Sequence, residues 1–166
     1  MHPLLHPLFV DYCAYFNGNQ DYFECHEVLE EYWKDIAPGN KNHPLVGYIQ
    51  LATGFYHWRR NNYTGAQRIL NKTISNFSRN KDCPFFEYID FPQLLKDCTK
   101  TVDAIQNRTS FVPISIVITH PSLAQLVKRK IRSLPPISDD FLLHKHMLRD
   151  RSDILRMREE KRNGRR

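Results

Sequence analysis

Cysteine is scarce and scattered in this chain. The four cysteines, at positions 13, 25, 83 and 98, make neither a C-x-x-C pair nor a zinc-knuckle spacing. A disulfide framework and a cysteine-built zinc module are thereby excluded, and the thiols read as the reduced cysteines of a cytoplasmic protein. Long apolar runs are also missing. None approaches the ~18 residues of a transmembrane helix, so no membrane association is expected. The opening stretch Met1–Val10 carries no Lys or Arg and two prolines interrupt it, which does not fit a secretory signal.

What is present suits a packed fold. Of 166 residues, 41% are hydrophobic and 12% aromatic, enough for one domain of about 100–150 residues with an appendage. The net charge of +6 is unevenly spread. From Thr119 onward there are 13 Lys and Arg against 6 Asp and Glu, whereas the preceding residues hold 11 against 12. The basic character therefore belongs to the C-terminal segment.

Apolar residues recur at helical steps almost everywhere. Leu8, Phe9, Tyr12, Cys13 and Phe16 predict a first helix, stopped by Asn17-Gly18-Asn19. A second runs from about Gln20 to Ile36 and stops at Pro38-Gly39. A third starts at Pro44 and reaches about Arg60; a fourth spans Tyr63 to Arg79; a fifth follows Asp90 with Pro92 in its first turn. Short connections favour antiparallel neighbours. The expected fold class is all-α, a small antiparallel helical bundle over residues 1–110. Residues 111–166 read as an extended linker followed by a basic helical extension. In it Thr119 caps a helix to Ser133, and Ser138-Asp139-Asp140 starts a last one.

The second helix carries the candidate site. Tyr22-Phe23-Glu24-Cys25-His26-Glu27-Val28-Leu29-Glu30-Glu31-Tyr32-Trp33 interleaves carboxylates and a histidine with aromatic bulk, where an ordinary amphipathic helix separates them. Tyr22, His26, Leu29 and Trp33 share one stripe, and Phe23, Glu27, Glu30 and Lys34 the next. On the third helix Gly47, Gln50, Gly54 and His57 fall on one face. Each interior glycine costs roughly 1 kcal/mol against alanine, so close approach of another helix is expected to compensate. An antiparallel second and third helix would set His26 and Glu27 against Gln50 and Gly54, with Gly47, Gly54 and Trp33 forming the structural seam.

Three chemistries suit such a cluster. One is a structural hydrogen-bond network that keeps two helices in register. Another is a divalent metal such as zinc on His26, Glu30 and His57, with Glu27 as a further ligand, because His26 and Glu30 stand at i,i+4. The pattern is H-E-x-x-E rather than H-E-x-x-H, and the Glu-x-x-His pairs of di-iron bundles are absent. The third is a metal-free pocket with Glu27 or His26 as acid or base, Arg59 or Arg60 holding an anion, and Tyr22, Glu24, Gln50 and Gly54 around the ligand. Trp33, Tyr22, Phe55 and Tyr56 read as core rather than as ligand stackers, Gly65-Ala66 as tight packing of the fourth helix, and His2, His6, His120, His144 and His146 as lying outside the bundle.

The run Tyr22-Phe23-Glu24-x-His26-Glu27-x-x-Glu30-x-x-Trp33, followed by Gln50-x-x-x-Gly54-x-x-His57 and Asn62-x-x-Gly65-Ala66-x-x-x-Leu70, resembles the prokaryotic "domain of unknown function 309" family over about residues 9 to 78. The resemblance implies a compact all-helical domain of a soluble bacterial or archaeal protein. It implies no particular activity and does not reach the basic tail. Sequence and resemblance together predict a cytoplasmic helical-bundle module that binds a small ligand or a protein partner at its seam. The enzyme alternative is a metal-assisted hydrolase using His26, Glu27, Glu30 and His57. In the tail, Val127–Arg132 and Arg149–Arg166 suit weak, non-specific and salt-sensitive contact with nucleic acid, with no aromatic after Phe141 to stack on bases.

Overall fold

Histidine precedes proline four times in this chain; three of these pairs start an α-helix and the first starts a 3₁₀ turn, Pro3–Leu5. The computed structural model describes residues 1–135. It contains six α-helices, α1 Pro7–Ala14, α2 Tyr22–Ile36, α3 Pro44–Arg59, α4 Tyr63–Arg79, α5 Phe91–Gln106 and α6 Pro121–Ser133. The only β pairing among the described residues is an isolated bridge between Ile89 and Ile118. The fold is all-α, as the periodicity predicts.

At His2, His6, His43 and His120 the imidazole Nδ1 accepts the N–H two residues on, at 3.1 to 3.2 Å. Each proline then occupies the first turn, where a missing N–H costs nothing. Tyr88 lies between two of these caps, stacked on His2 at 3.8 Å and on His120 at 3.9 Å. His6 stacks on Tyr32 at 4.0 Å. The expectation that His2, His6 and His120 lie outside the bundle is thus corrected: they begin its helices. His120, rather than Thr119, caps α6. His144 and His146 lie outside the described residues.

A capping Nδ1 must be unprotonated, and burial lowers the pKa of His43 below its ordinary value. A depressed histidine pKa means that the neutral form is favoured by folding. Its contribution is therefore complete above pH ~6.5 and is lost as the pH falls below that value. We expect the melting temperature to drop between pH 7 and pH 5. His43→Ser caps without titrating, so it should shrink that drop, by up to the ~0.5–2 kcal/mol value of one cap. Equal pH dependence in the two proteins would contradict this role.

Helices α1 to α4 run antiparallel to their neighbours in the chain, and named bonds fix the arrangement. Tyr32 near the end of α2 donates to the Pro3 carbonyl, 2.8 Å, ahead of α1. Arg59 at the end of α3 donates to the Gln20 carbonyl, 2.9 Å, just before α2. Asn76 near the end of α4 donates to the His43 carbonyl, 3.0 Å, at the start of α3. Helix α3 is central, with ten buried residues spread around its circumference, as expected of a helix enclosed by others. Around it lies an aromatic core that includes Phe9, Tyr12, Phe16, Tyr22, Tyr48, Phe55, Trp58 and Phe77. The tyrosines and tryptophan in it carry polar tips that need partners. Tyr12 donates to the Tyr48 carbonyl and Tyr48 to the Phe85 carbonyl, each at 2.7 Å, and Trp58 Nε1 donates to the Thr109 carbonyl at 2.9 Å.

Two boundary expectations change. The α1–α2 turn is a π-helical one, Tyr15–Asn19, and Gln20 takes the left-handed conformation at φ 57°. Gly18 instead gives room to Ile131 of α6, whose Cγ1 would lie 3.0 Å from an added Cβ. The segment after Ser110 is also more than a linker. Phe111 packs on Trp58 at 5.3 Å and near Tyr22 at 6.1 Å. Ile116 exchanges two hydrogen bonds with the Asn17 side chain, 2.8 and 2.9 Å. Leu123 and Val127 of α6 are buried in the common core. Residues 111–134 therefore complete the bundle, because the faces of α1 and α3 that they cover are apolar. The last helix expected from Ser138, and the basic run Arg149–Arg166, lie outside the described residues.

Candidate functional site

Asp21 starts the helix that carries the site. It is buried, and its carboxylate accepts the Glu24 N–H at 3.2 Å, a side-chain cap of the first turn. Tyr22, Cys25, Leu29 and Tyr32 then make the buried stripe, with Phe23 beside it. His26 stands one position along from Cys25, at the edge of that stripe and half-buried. This offset turns its ring to the rim of the α2–α3 groove.

There it meets both carboxylates of its own helix. His26 Nδ1 is 3.4 Å from Glu27 Oε1 and 3.5 Å from Glu30 Oε2. One ligand atom from each of the three residues lies within 4.8 Å of the others. Lys34 holds the second oxygen of Glu30 at 2.7 Å. Two atoms bound to zinc at ~2.0–2.1 Å with tetrahedral angles stand about 3.3–3.4 Å apart. The two His26–Glu spacings lie at or just above that separation, and the three atoms as a set lie within 4.8 Å.

His26 also lines a notch of about 80 Å³ between α2 and α3, with Tyr22, Phe23, Thr53, Tyr56 and His57. At ~30 Å³ per liquid water this holds a ligand of only a few heavy atoms. Its floor is aromatic and buried, and the two imidazoles stand half-buried at its mouth. Tyr22 Oη is buried and has no hydrogen-bond partner among the described residues. Burial raises the Tyr22 pKa, and the nearby Arg59 charge only partly offsets this.

The expected site residues separate into three groups. His26, Glu27 and Glu30 are together, and His57 shares the notch with His26. His57 is not among the three clustered ligands; its Nδ1 lies 3.3 Å from the Asn62 side-chain nitrogen. Arg59 is a framework residue. Its guanidinium lies over the Tyr22 ring at 4.6 Å and over Phe111 at 5.7 Å, and desolvation lowers its pKa. Arg60 lies over the Tyr56 ring at 5.2 Å. Glu24 is in the first turn of α2 and outside the notch lining.

The glycine seam is corrected. A Cβ on Gly54 would sit 2.5 Å from Leu70, and one on Gly47 would sit 2.4 Å from Asn76. Both partners belong to α4, so the small-residue face of α3 receives α4 instead of α2. Gln50 faces that side too, in a groove with residues of α4. The face of α3 toward α2 is Thr53, Tyr56 and His57, centred about 90° round from Gln50 and Gly54 at ~100° per residue. Periodicity groups residues into faces without naming the neighbour of each face. Trp33 is not at this seam; its Nε1 donates to the Asn40 carbonyl, 3.0 Å, and ties the end of α2 to the following turn. Gly65 contacts the capping side chain of Asn62 rather than a neighbouring helix. Thr53 and Tyr56 also line the notch; the available signal was Thr53, which stands at i,i+3 to Tyr56 and i,i+4 to His57.

Residues 9–69, which include both walls of the notch, match the family described as Domain of unknown function (DUF309). The chain is similar to "Uncharacterized protein YpuF" of Bacillus subtilis, 33% identical over 159 residues that cover 92% of this chain and 91% of that protein. The similarity therefore runs well past the family segment. No solved structure matches the chain. No helix among the described residues is long and apolar enough to cross a membrane.

Proposed function

The chain belongs to the DUF309 family, and for its α2–α3 face we propose a divalent-cation site that presents its ion to a small ligand in the adjoining notch. The observation that carries this reading is the double position of His26. It joins Glu27 and Glu30 in a three-ligand cluster and at the same time lines the notch. Three protein ligands with one open position are the arrangement in which zinc binds an exchangeable ligand. Lys34 on the second Glu30 oxygen supplies the outer contact that orients a ligating carboxylate. The four free cysteines, three of them buried, support a reducing cytoplasmic setting.

Calorimetric titration of tag-free protein with zinc tests the site. Zinc binding at one equivalent is expected, weakened at least ~10-fold by His26→Ala or Glu30→Gln, the effect of removing one ligand or its support. Unchanged affinity in both variants would place the ion elsewhere, and no binding would remove the site. A metal-assisted hydrolase is the second reading. It is favoured by His57, a second imidazole lining the same notch as His26 and the side-chain type that most often moves protons in a site.

A further inference from the structure

The geometry points to a second binding site, in the α3–α4 groove, for a compact hydroxylated phosphate ester of the sugar-phosphate class. The groove is open to solvent and offers about 380 Å³, and its lining includes Lys41, Gln50, Lys72, Ser75, Asn76 and Arg79. That volume falls in the ~300–1,000 Å³ range of small-molecule sites. No carboxylate and no apolar side chain lines it.

The charge is arranged from two sides. Lys72, Ser75 and Arg79 follow one another at steps of 3 and 4 along α4, so they share a face. Lys41 approaches from the turn before α3. Among the described residues none of these three cations forms a salt bridge; the pairs there involve His2, His26, Lys34 and Lys130. Three cations around one concavity with no counter-charge in its lining favour a multiply charged anion. Phosphate is the anion for which Lys and Arg donors are best suited.

The floor adds the second requirement. Gln50 Oε1 is buried and has no hydrogen-bond partner among the described residues, although buried polar atoms are normally paired. An amide oxygen accepts, and the hydroxyls of a sugar are donors that keep their protons across the physiological pH range, whereas a phosphate keeps at most one or two. Beside it Asn76 is held in place. Its Nδ2 donates to the His43 carbonyl at 3.0 Å, Asn80 donates to its backbone carbonyl at 2.9 Å, and Gly47 leaves room for its side chain. The floor is thus rigid before any ligand arrives. The lack of aromatic lining removes the stacking that a nucleobase or single-stranded nucleic acid would use.

Calorimetry of the full chain with fructose 1,6-bisphosphate and, separately, with inorganic pyrophosphate tests both requirements. Saturable one-to-one binding of the bisphosphate is expected. Lys72→Gln with Arg79→Gln, both exposed positions, should weaken it by roughly tenfold or more. Gln50→Met should weaken the sugar bisphosphate by roughly two- to tenfold, the worth of one neutral hydrogen bond, and leave pyrophosphate binding as it was. Lys128→Gln with Arg129→Gln on α6 should change neither. The proposal is overturned if the bisphosphate does not bind, or if the α6 pair weakens binding as much as the α4 pair. It is equally overturned if a single-stranded oligonucleotide of equal charge binds the groove more tightly than the sugar bisphosphate.

Discussion

A chain that stops at Ser110 is expected to lose its cooperative thermal transition. The residues removed include Ile116, Leu123 and Val127, all buried in the common core, and Phe111, packed on Trp58. Burying an aliphatic side chain is worth about 1.5–3 kcal/mol, so three such residues alone approach the ~5–15 kcal/mol by which a typical domain is stable. The loss also strips the partner of the Asn17 side chain, which bonds Ile116 on both its amide groups. It uncovers the apolar faces of α1 and α3 as well. Circular dichroism melts of residues 1–110 beside the full chain, with binding of an environment-sensitive dye, provide the measurement. A broad or absent transition with dye binding is the expected result. An unchanged midpoint would make 111–134 dispensable to the fold. Leu123→Ala in the full chain is a milder check, with an expected cost of ~2–5 kcal/mol for a buried leucine.

The second large effect concerns the α3–α4 contact. Gly54→Leu is expected to lower the melting temperature well beyond any single polar substitution at the α2–α3 notch. A Cβ at Gly54 already falls 2.5 Å from Leu70 Cγ and 2.6 Å from its Cδ2, and Leu70 is itself fully buried. Alanine at this position gains about 1 kcal/mol of helix propensity over glycine. Overpacking opposes it by about 1–3 kcal/mol, so even Gly54→Ala should destabilise. At ~2–4 °C per kcal/mol for a chain of this size, Gly54→Leu should fall by more than about 5 °C. Combining Gly54→Ala with Leu70→Ala should recover part of the summed loss, since each change relieves the crowding of the other. Wild-type melting of Gly54→Leu would mean that α4 does not approach α3 there.

How much of this was legible in the sequence differs by element. The helices were, because each has its own punctuation: Asp21, Asn62 and Asp90 at N-caps, and Gly39 and Asn61 in left-handed turns. These signals act over four residues and need no tertiary partner. The cluster on α2 was legible for the same reason, since His26, Glu27 and Glu30 are neighbours on a single helix. His57 was harder. Its presence beside His26 depends on the rotation of α3 about its own axis, which the packing of Gly47 and Gly54 on α4 sets. The capping role of the His-Pro pairs is local too, because donor and acceptor lie two residues apart, but an imidazole accepts only when its Nδ1 is unprotonated, so the residue type does not mark a cap as Asp or Ser does.

The sequence by itself thus determined the fold class, the number and approximate extent of the helices and the existence of a His–Glu cluster, all of which rest on interactions within one or two helical turns. The tertiary structure alone decided which helix fills the glycine face, that Arg59 braces Tyr22 and Phe111, and that the segment from Phe111 to Leu134 closes the bundle. It also decided that Lys41, Lys72 and Arg79 surround one groove with Gln50 at its floor. The physical reason is common to all four. Apolar faces and unpaired charges state that a partner is needed, and many partners satisfy that need equally well locally. Only the simultaneous packing of every face, at the density of a protein interior, selects one of them.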